Sequence, residues 1–505
     1  MARWRGSKIR RNEKVLAERR SEQVASIIQK AQAQPKPDEK KNDPKKNDET
    51  IVKLPYRLLP RQWSELKVPS GLSELEKLTY VPGLVGDIIE WIVRTAPRPN
   101  RMLALGVALT VVGTIIGRKV KTPGNESATH LYIIILGRTT LGKGHPIRSG
   151  IRLLELLELG HLIGPGAFAS GPGFEEELVY HPLIICFIDE PGDEFSKLKA
   201  QRGNEWVSSL KGVLKKAWDP WNSWKTASKV GTEKAQIKWP AVSIVGASTW
   251  RSYFDAVQGG DFESGFANRW LILPEPYDGK RPLEQVDVRA DPPPDELLKA
   301  LLELPQARTA VVERKIGDLS SVAGAVSLPE RVDVGWSDEA RELYREFSAR
   351  IDALEGNHPR AELALRSAEN AKRCATIVSQ GCFRDVDKSD MDWGTRFAEE
   401  SFKAHAGGAD RFLREYHEFP EMCDRLHAAY LAAPNHFISD RDANRRFGRN
   451  QRYGNELERA QRQLAKEKRL DRCEMSPTGF GRAAKGYRAL VDETDDGSEE
   501  EKCGL

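Results

Sequence analysis

Four short apolar runs constrain this chain more than anything else in it: "LYIIILG" at 131–137, "LIICFIDE" at 183–190, "AVSIVGAST" at 241–249 and "RWLILP" at 269–274. Each is rich in Ile, Val or Leu without polar alternation, the mark of a strand buried on both faces. The segments between them are long enough for crossover helices. Such alternation predicts an α/β fold with a mostly parallel sheet, its core spanning 129–280.

The first strand runs into "GRTTLGKGHPIRSG", residues 137–150. A strand, a glycine-rich turn ending in lysine, and then a helix form a phosphate-binding device. Consecutive backbone N–H groups make a nest for phosphate oxygens, the helix N-terminus adds its dipole, and the lysine reaches the outer phosphates. Gly137 permits the turn out of the strand, Gly142 lets the backbone approach closely, and Lys143 supplies the charge. Thr139, Thr140 and Gly144 complete the candidate nucleotide-binding set. Pro146 suits the first turn of the helix, where its missing N–H leaves nothing unpaired. The pattern departs from GxxxxGK[ST] at its last position, because Gly144 stands where a Ser or Thr hydroxyl would ligate Mg²⁺.

A second strand ends in Asp189 and Glu190, beginning 40 residues after Lys143. That distance accommodates a crossover helix. Asp189 is placed to hold Mg²⁺ through water, and Glu190 to orient or deprotonate an attacking water. The third strand ends in Ser248 and Thr249, where a polar side chain can sense a γ-phosphate; Thr249 is the residue assigned that role. Arg269 precedes the fourth strand and is assigned as a finger acting on a neighbouring subunit's nucleotide, with a surface or interdomain salt bridge as the competing reading.

These residues carry a resemblance. The run 98–273, with "RPNRMLALGVALTVVGTIIGRKV", "LYIIILGRTTLGKGHP", "GPGAFASGPGFEEEL", "FIDEPGDEF", "SIVGAST" and "GGDFESGFANRWLIL", resembles the primase-helicase-like P-loop proteins of phages and integrative elements. The similarity continues more weakly through "RSAENAKRCATI" and covers half to two thirds of the chain. The strand, sensor and "NRW" features also resemble AAA+ helicases. The resemblance implies a P-loop NTPase core using ATP and Mg²⁺, a homo-oligomeric ring, and a part in replicating a mobile element's DNA. There is no room here for a primase: only about 80 residues separate the basic N-terminal segment from the core, with no acidic catalytic cluster, so an initiator or primase protein is expected as a partner.

Outside the core, 1–50 reads as a basic helix and a disordered linker, "QPKPDEKKNDPKKNDET". Residues 51–128 read as an N-terminal helical region, 281–405 as a linker and helical lid, 406–491 as a helical, winged-helix-like basic module, and 492–505 as an acidic tail. Residues 1–20 hold eight Lys or Arg against two acids, and 441–472 eleven against five, so the net charge of +4 hides two basic regions suited to a polyanion. DNA, single-stranded above all, is the expected polymer partner. Lys215, Lys216, Trp221 and Trp224 interleave cations with aromatic faces as single-strand binding requires. The competing reading there is that the tryptophans pack a core and the lysines solvate it. Arg445, Arg449 and Arg452 recur at helical spacing near the C-terminus, with a solvated helix face as their alternative.

Other chemistry is not indicated. Six cysteines without CxxC spacing offer neither a zinc cluster nor a disulfide framework. The histidines show no paired metal spacing. "MARWRGSKIRRNEKV" has no apolar stretch behind it and so does not read as a signal peptide, and the run Met102–Gly117 is shorter than the ~18–20 residues a bilayer span needs. A buried helix and a cytoplasmic, membrane-free protein are expected. Two function classes follow: an ATP-driven DNA helicase or remodelling motor, or an ATP-binding switch or DNA-binding regulator with slow hydrolysis, which Gly144 favours. A third, an adaptor with a decayed site, sits badly with Gly142, Lys143, Asp189 and Glu190 all in place.

Overall fold

The computed structural model describes residues 58–124, 127–138, 142–168, 170–192, 194, 205–219, 223–226, 235–257, 259–275, 292–306, 330–412, 414–447, 454–475 and 483–490. The basic N-terminal segment, Thr139, Thr140, Trp221, Arg449, Arg452 and the acidic tail lie outside the described residues. The chain divides into two units between Phe412 and Leu413.

Apolar burial builds the first unit. Strands β1 (Tyr132–Gly137), β2 (Leu183–Ile188), β5 (Ala241–Thr249) and β6 (Trp270–Pro274) pair in parallel in the order β2-β5-β1-β6. Every residue of β1 and β2 is buried, as continuous apolar runs require. The register sets Gly137 beside Thr249, Leu136 beside Pro274 and Ile188 beside Gly246. The carboxyl ends of the four strands therefore lie along one edge. A separate short antiparallel pair, β3 (Ser223–Lys225) and β4 (Gln236–Lys238), sits between β2 and β5 in sequence.

Helices α1 (Gly83–Thr95) and α2 (Arg101–Ile115) precede the sheet. In α2 every residue after Arg101 is buried. Gly106 lets it lie close to the sheet, since a Cβ there would stand 2.9 Å from Ile135 Cδ1. Thr114 donates from its hydroxyl to Ser243 Oγ at 2.8 Å, satisfying a polar pair inside an apolar contact. Helices α3 (Gly144–Leu156) and α4 (Gly171–Tyr180) carry the chain from β1 to β2. Helix α5 (Glu205–Trp218) follows β2, and α6 (Trp250–Ala256) follows β5.

The helices expected as a lid are α7 (Asp338–Asp352), α8 (Ser367–Gly381) and α9 (Lys388–Phe412). They belong to the same unit as the sheet. Helix α9 covers the outer edge of β6, where the N–H of Ile272 donates to Ser401 Oγ at 2.8 Å, so this edge strand offers no free donor there. His405 of α9 is buried against the rings of Tyr253, Phe254 and Phe262.

The second unit contains α10 (Arg414–Leu431), β7 (Phe437–Ser439), α11 (Asp440–Phe447), α12 (Gly454–Lys466), β8 (Leu470–Met475) and β9 (Ala484–Ala489). Strands β8 and β9 form an antiparallel hairpin, and β7 pairs with β9. Leu426, Tyr430, Ile438, Ala443, Leu457, Leu464 and Tyr487 form its core. Among the described residues no helix is long and apolar enough to cross a membrane.

Candidate nucleotide-binding site

The turn after β1 depends on Gly142. Its φ of +73° is disfavoured for a residue with a side chain, and a Cβ there would meet Arg98 Cβ at 3.0 Å and the Arg98 carbonyl oxygen at 3.1 Å. The segment after α1 thus backs directly onto the turn. Lys143 occupies the N-cap position of α3 without a side-chain capping bond, and in the first turn the His145 N–H donates to the Gly142 carbonyl at 3.4 Å. His145, the second residue of α3, is hydrogen-bonded through Nε2 to Thr95 Oγ1 at 2.9 Å. Its pKa is lowered by burial first and by the charge of Arg148 second.

Strand β5 separates β1 from β2, and Lys143 reaches across its end. The ammonium donates to Glu190 Oε1, stands 3.5 Å from Asp189 Oδ1 and donates to the Asp189 carbonyl at 3.4 Å. The Asp189 side chain is 78% exposed, whereas those of Glu190 and Lys143 are 41% and 21% exposed. Asp189 is consequently open to a solvated cation, and Glu190 is held by the lysine. Among the described residues no group of three or more His, Cys, Asp or Glu is placed to hold a metal ion. A Mg²⁺ ion, which keeps several waters and takes one or two carboxylates together with phosphate oxygens, needs no such group.

Ser248 and Thr249 end the strand that runs between these residues. Thr249 caps α6, its Oγ1 accepting the Ser252 N–H at 3.1 Å. Ser248 is 3% exposed, and its Oγ has no hydrogen-bond partner among the described residues. It lies near the loop after Asp189 and Glu190, 2.9 Å from where a Cβ on Gly192 would stand. The hydroxyl left without a partner is therefore that of Ser248, while Thr249 has a structural bond to keep.

Arg269 sits at the other end of the sheet. It directly precedes β6, whose first residue Trp270 pairs with Tyr132, five residues before Gly137 along β1. At about 3.3 Å per residue that end is roughly 16 Å from the Gly137 turn, and Arg269 cannot touch a ligand held there by its own chain. Its Nη1 donates to the Gly265 carbonyl, its guanidinium lies 5.5 Å from the Trp218 ring, and its Nε is buried with no partner among the described residues. Burial lowers its pKa, followed by the like charge of Arg366. Arg366 and Arg373 also lie over Trp218, at 5.3 and 3.9 Å. Buried Arg373 donates to the carbonyls of His130 and Trp218 at 2.9 and 3.1 Å and pairs with Glu369 at 3.1 Å.

The aromatic and basic segment after β2 is partly used up internally. Trp218 is buried. Trp224 donates from Nε1 to Glu175 at 2.8 Å, and its ring lies 5.7 Å from the Lys216 ammonium. Lys215 is half-buried and donates to the Ser264 carbonyl at 3.4 Å; Lys216 is exposed. In the second unit Arg441, Arg445 and Arg446 are exposed on α11.

Sequence reasoning passed over Arg98, Arg148 and the Thr95–His145 contact. Arg148 had a signal, lying four residues after Gly144 in a helix and hence on the same face. Neither Thr95 nor Arg98 had one, because α1 is brought to the loop only by the fold. No protein-family model matches this chain, and no curated protein matches it.

Proposed function

We propose that this chain is an ATP-dependent DNA helicase or DNA-remodelling ATPase serving replication of a phage or integrative element. The observation that carries the reading is the ion pairing of Lys143 with Asp189 and Glu190 across the end of β5. It joins a glycine turn at a helix N-terminus to two carboxylates on one carboxyl edge of a parallel sheet, the edge at which open α/β folds bind ligands. Lys143 binds the outer phosphates, Asp189 holds Mg²⁺ and Glu190 orients the attacking water. Mg²⁺ would supply charge neutralisation on the β- and γ-phosphates. Ser248 or Thr249 senses the γ-phosphate, and Arg269, too distant from its own chain's site, acts on that of a neighbour in a ring.

The basic face of α11, with Arg445, belongs to a winged-helix-like module that meets DNA, and Lys216 adds a contact from the core. An initiator or primase protein supplies priming. The resemblance to primase-helicase-like P-loop proteins supports the same reading.

A second reading has its own observation. Gly144 offers no hydroxyl to the metal, which favours an ATP-binding switch with slow hydrolysis. Hydrolysis by wild type, Lys143→Ala and Glu190→Gln, with and without single-stranded DNA, separates the two. DNA-stimulated turnover lost in both variants supports the motor, whereas nucleotide binding without stimulated turnover moves the assignment to the switch.

A further inference from the structure

We infer that Arg148 is a phosphate-binding residue of this site, set in the space a Ser or Thr at position 144 would fill, and that nucleotide binding here is consequently only weakly dependent on Mg²⁺. The inference rests on the nucleotide reading of Lys143 and extends it to the ligand's charge partner.

Geometry comes first. A Cβ built on Gly144 would stand 2.8 Å from Arg148 Nη1 and 3.5 Å from its Cζ, so the guanidinium already covers the first residue of α3. Helical side chains lean toward the N-terminus, and positions i and i+4 share a face, which is how a residue one turn up the helix comes back to cover the start. A side chain at 144 would displace it. The missing hydroxyl and the arginine are therefore alternatives for one location.

Electrostatics comes second. The start of a 13-residue helix carries partial positive charge, Lys143 adds a full one, and a guanidinium laid there is repelled by both. No carboxylate among the described residues pairs with Arg148, and Glu190, at the same edge of the sheet, is held by Lys143. His145 has its pKa lowered by burial first and by the Arg148 charge second, so that charge reaches the first turn of the helix. A concentration of cations of this kind is relieved by a polyanion.

An independent feature of the same edge also asks for a ligand: the Ser248 hydroxyl, 3% exposed and without a partner among the described residues, beside the loop that follows Asp189 and Glu190. A guanidinium presents two parallel N–H donors to a phosphate, and its charge does not depend on a metal. Arg148 would neutralise part of the triphosphate charge that Mg²⁺ otherwise carries.

The test is titration of the full chain with a fluorescent ATP analogue, with Mg²⁺ and again with EDTA. Wild type should lose less than about tenfold in affinity on metal removal, and Arg148→Ala should lose about tenfold or more in EDTA, with Arg148→Lys between them because an ammonium lacks the paired donors. Gly144→Ser, which pushes the guanidinium aside, should make binding depend on Mg²⁺. Arg148 is exposed, so these variants should keep the wild-type melting temperature. Binding that requires Lys143 yet is the same in wild type and Arg148→Ala, with and without metal, overturns this inference alone. Absence of binding by wild type, or binding untouched by Lys143→Ala, overturns the nucleotide reading and this inference with it.

Discussion

Lys143 and Glu190, 47 positions apart in the chain, are ion-pair partners at the carboxyl edge of the sheet. The lysine is held over the two acids, so on the proposed reading an incoming nucleotide would have to draw the ammonium away from Glu190 and would thereby free that carboxylate for water.

Glu190→Gln tests this directly. The amide oxygen still accepts from Lys143, so nucleotide binding should persist, while turnover should fall by about 100-fold or more with loss of the base. Because the Glu190 side chain is 41% exposed, the variant should cost less than about 1 kcal/mol of stability, read as a nearly unchanged melting temperature.

Gly144→Ser should raise the Mg²⁺-dependent turnover of wild type, since it installs the missing metal ligand. Only the far end of the flexible Arg148 side chain has to move to admit it. Steady-state kcat across a Mg²⁺ series is the measurement, and an unchanged or lower kcat at saturating metal counts against the assigned role of this position.

Gly142→Ala should behave oppositely. A side chain at φ +73° is strained and would press on the Arg98 backbone, so a stability loss of about 1–2 kcal/mol is expected together with loss of nucleotide affinity. Chemical denaturation and nucleotide titration read the two effects separately.

Arg269→Ala should lower the melting temperature modestly, since it removes the donor to the Gly265 carbonyl and the contact with Trp218, and should abolish turnover if the arginine serves a neighbour. Mixing Arg269→Ala with Lys143→Ala should then restore part of the activity, since one variant contributes an intact site and the other an intact arginine. Failure of the mixture to exceed either variant alone removes the ring assignment. Arg373→Met is the contrast, because it leaves buried carbonyls and Glu369 without their partner and should cost about 3–5 kcal/mol.

Stability should fall in mild acid through His405. Burial lowers its pKa to about 3 from 6.5, so below pH 6.5 the unfolded chain takes up a proton that the folded chain refuses. Its contribution is complete above pH 6.5 and is lost as pH drops toward 3. Buried His130 shifts in the same direction. Thermal melts of His405→Gln, which keeps an acceptor for the Tyr253 hydroxyl, should show a shallower acid slope than wild type and not a flat one.

The four strands were legible because a strand buried on both faces writes itself as a continuous apolar run, and all four fall where those runs predict. The placement of Gly142, Lys143, Asp189 and Glu190 at one edge followed from the same pattern, since each ends or follows a strand. That Trp218 packs into a core was among the readings the sequence offered, but its cover by Arg373 was not legible. That contact spans 155 positions and answers two backbone carbonyls, which leave no trace in the order of side chains. That Thr249 caps the next helix while the Ser248 hydroxyl is left without a partner among the described residues was hidden for a related reason: what a hydroxyl at a strand end does depends on the direction that the chain takes afterwards.

Helix α2 has no polar face once folded, and it is finished at Ile115, whereas β5, against which it packs, is complete only at Thr249. A ribosome adding about 5–20 residues per second leaves this apolar helix without its sheet for on the order of ten seconds. During that interval it is a natural client for a holdase chaperone, and a nascent chain arrested before β5 should aggregate where the full-length protein stays in solution.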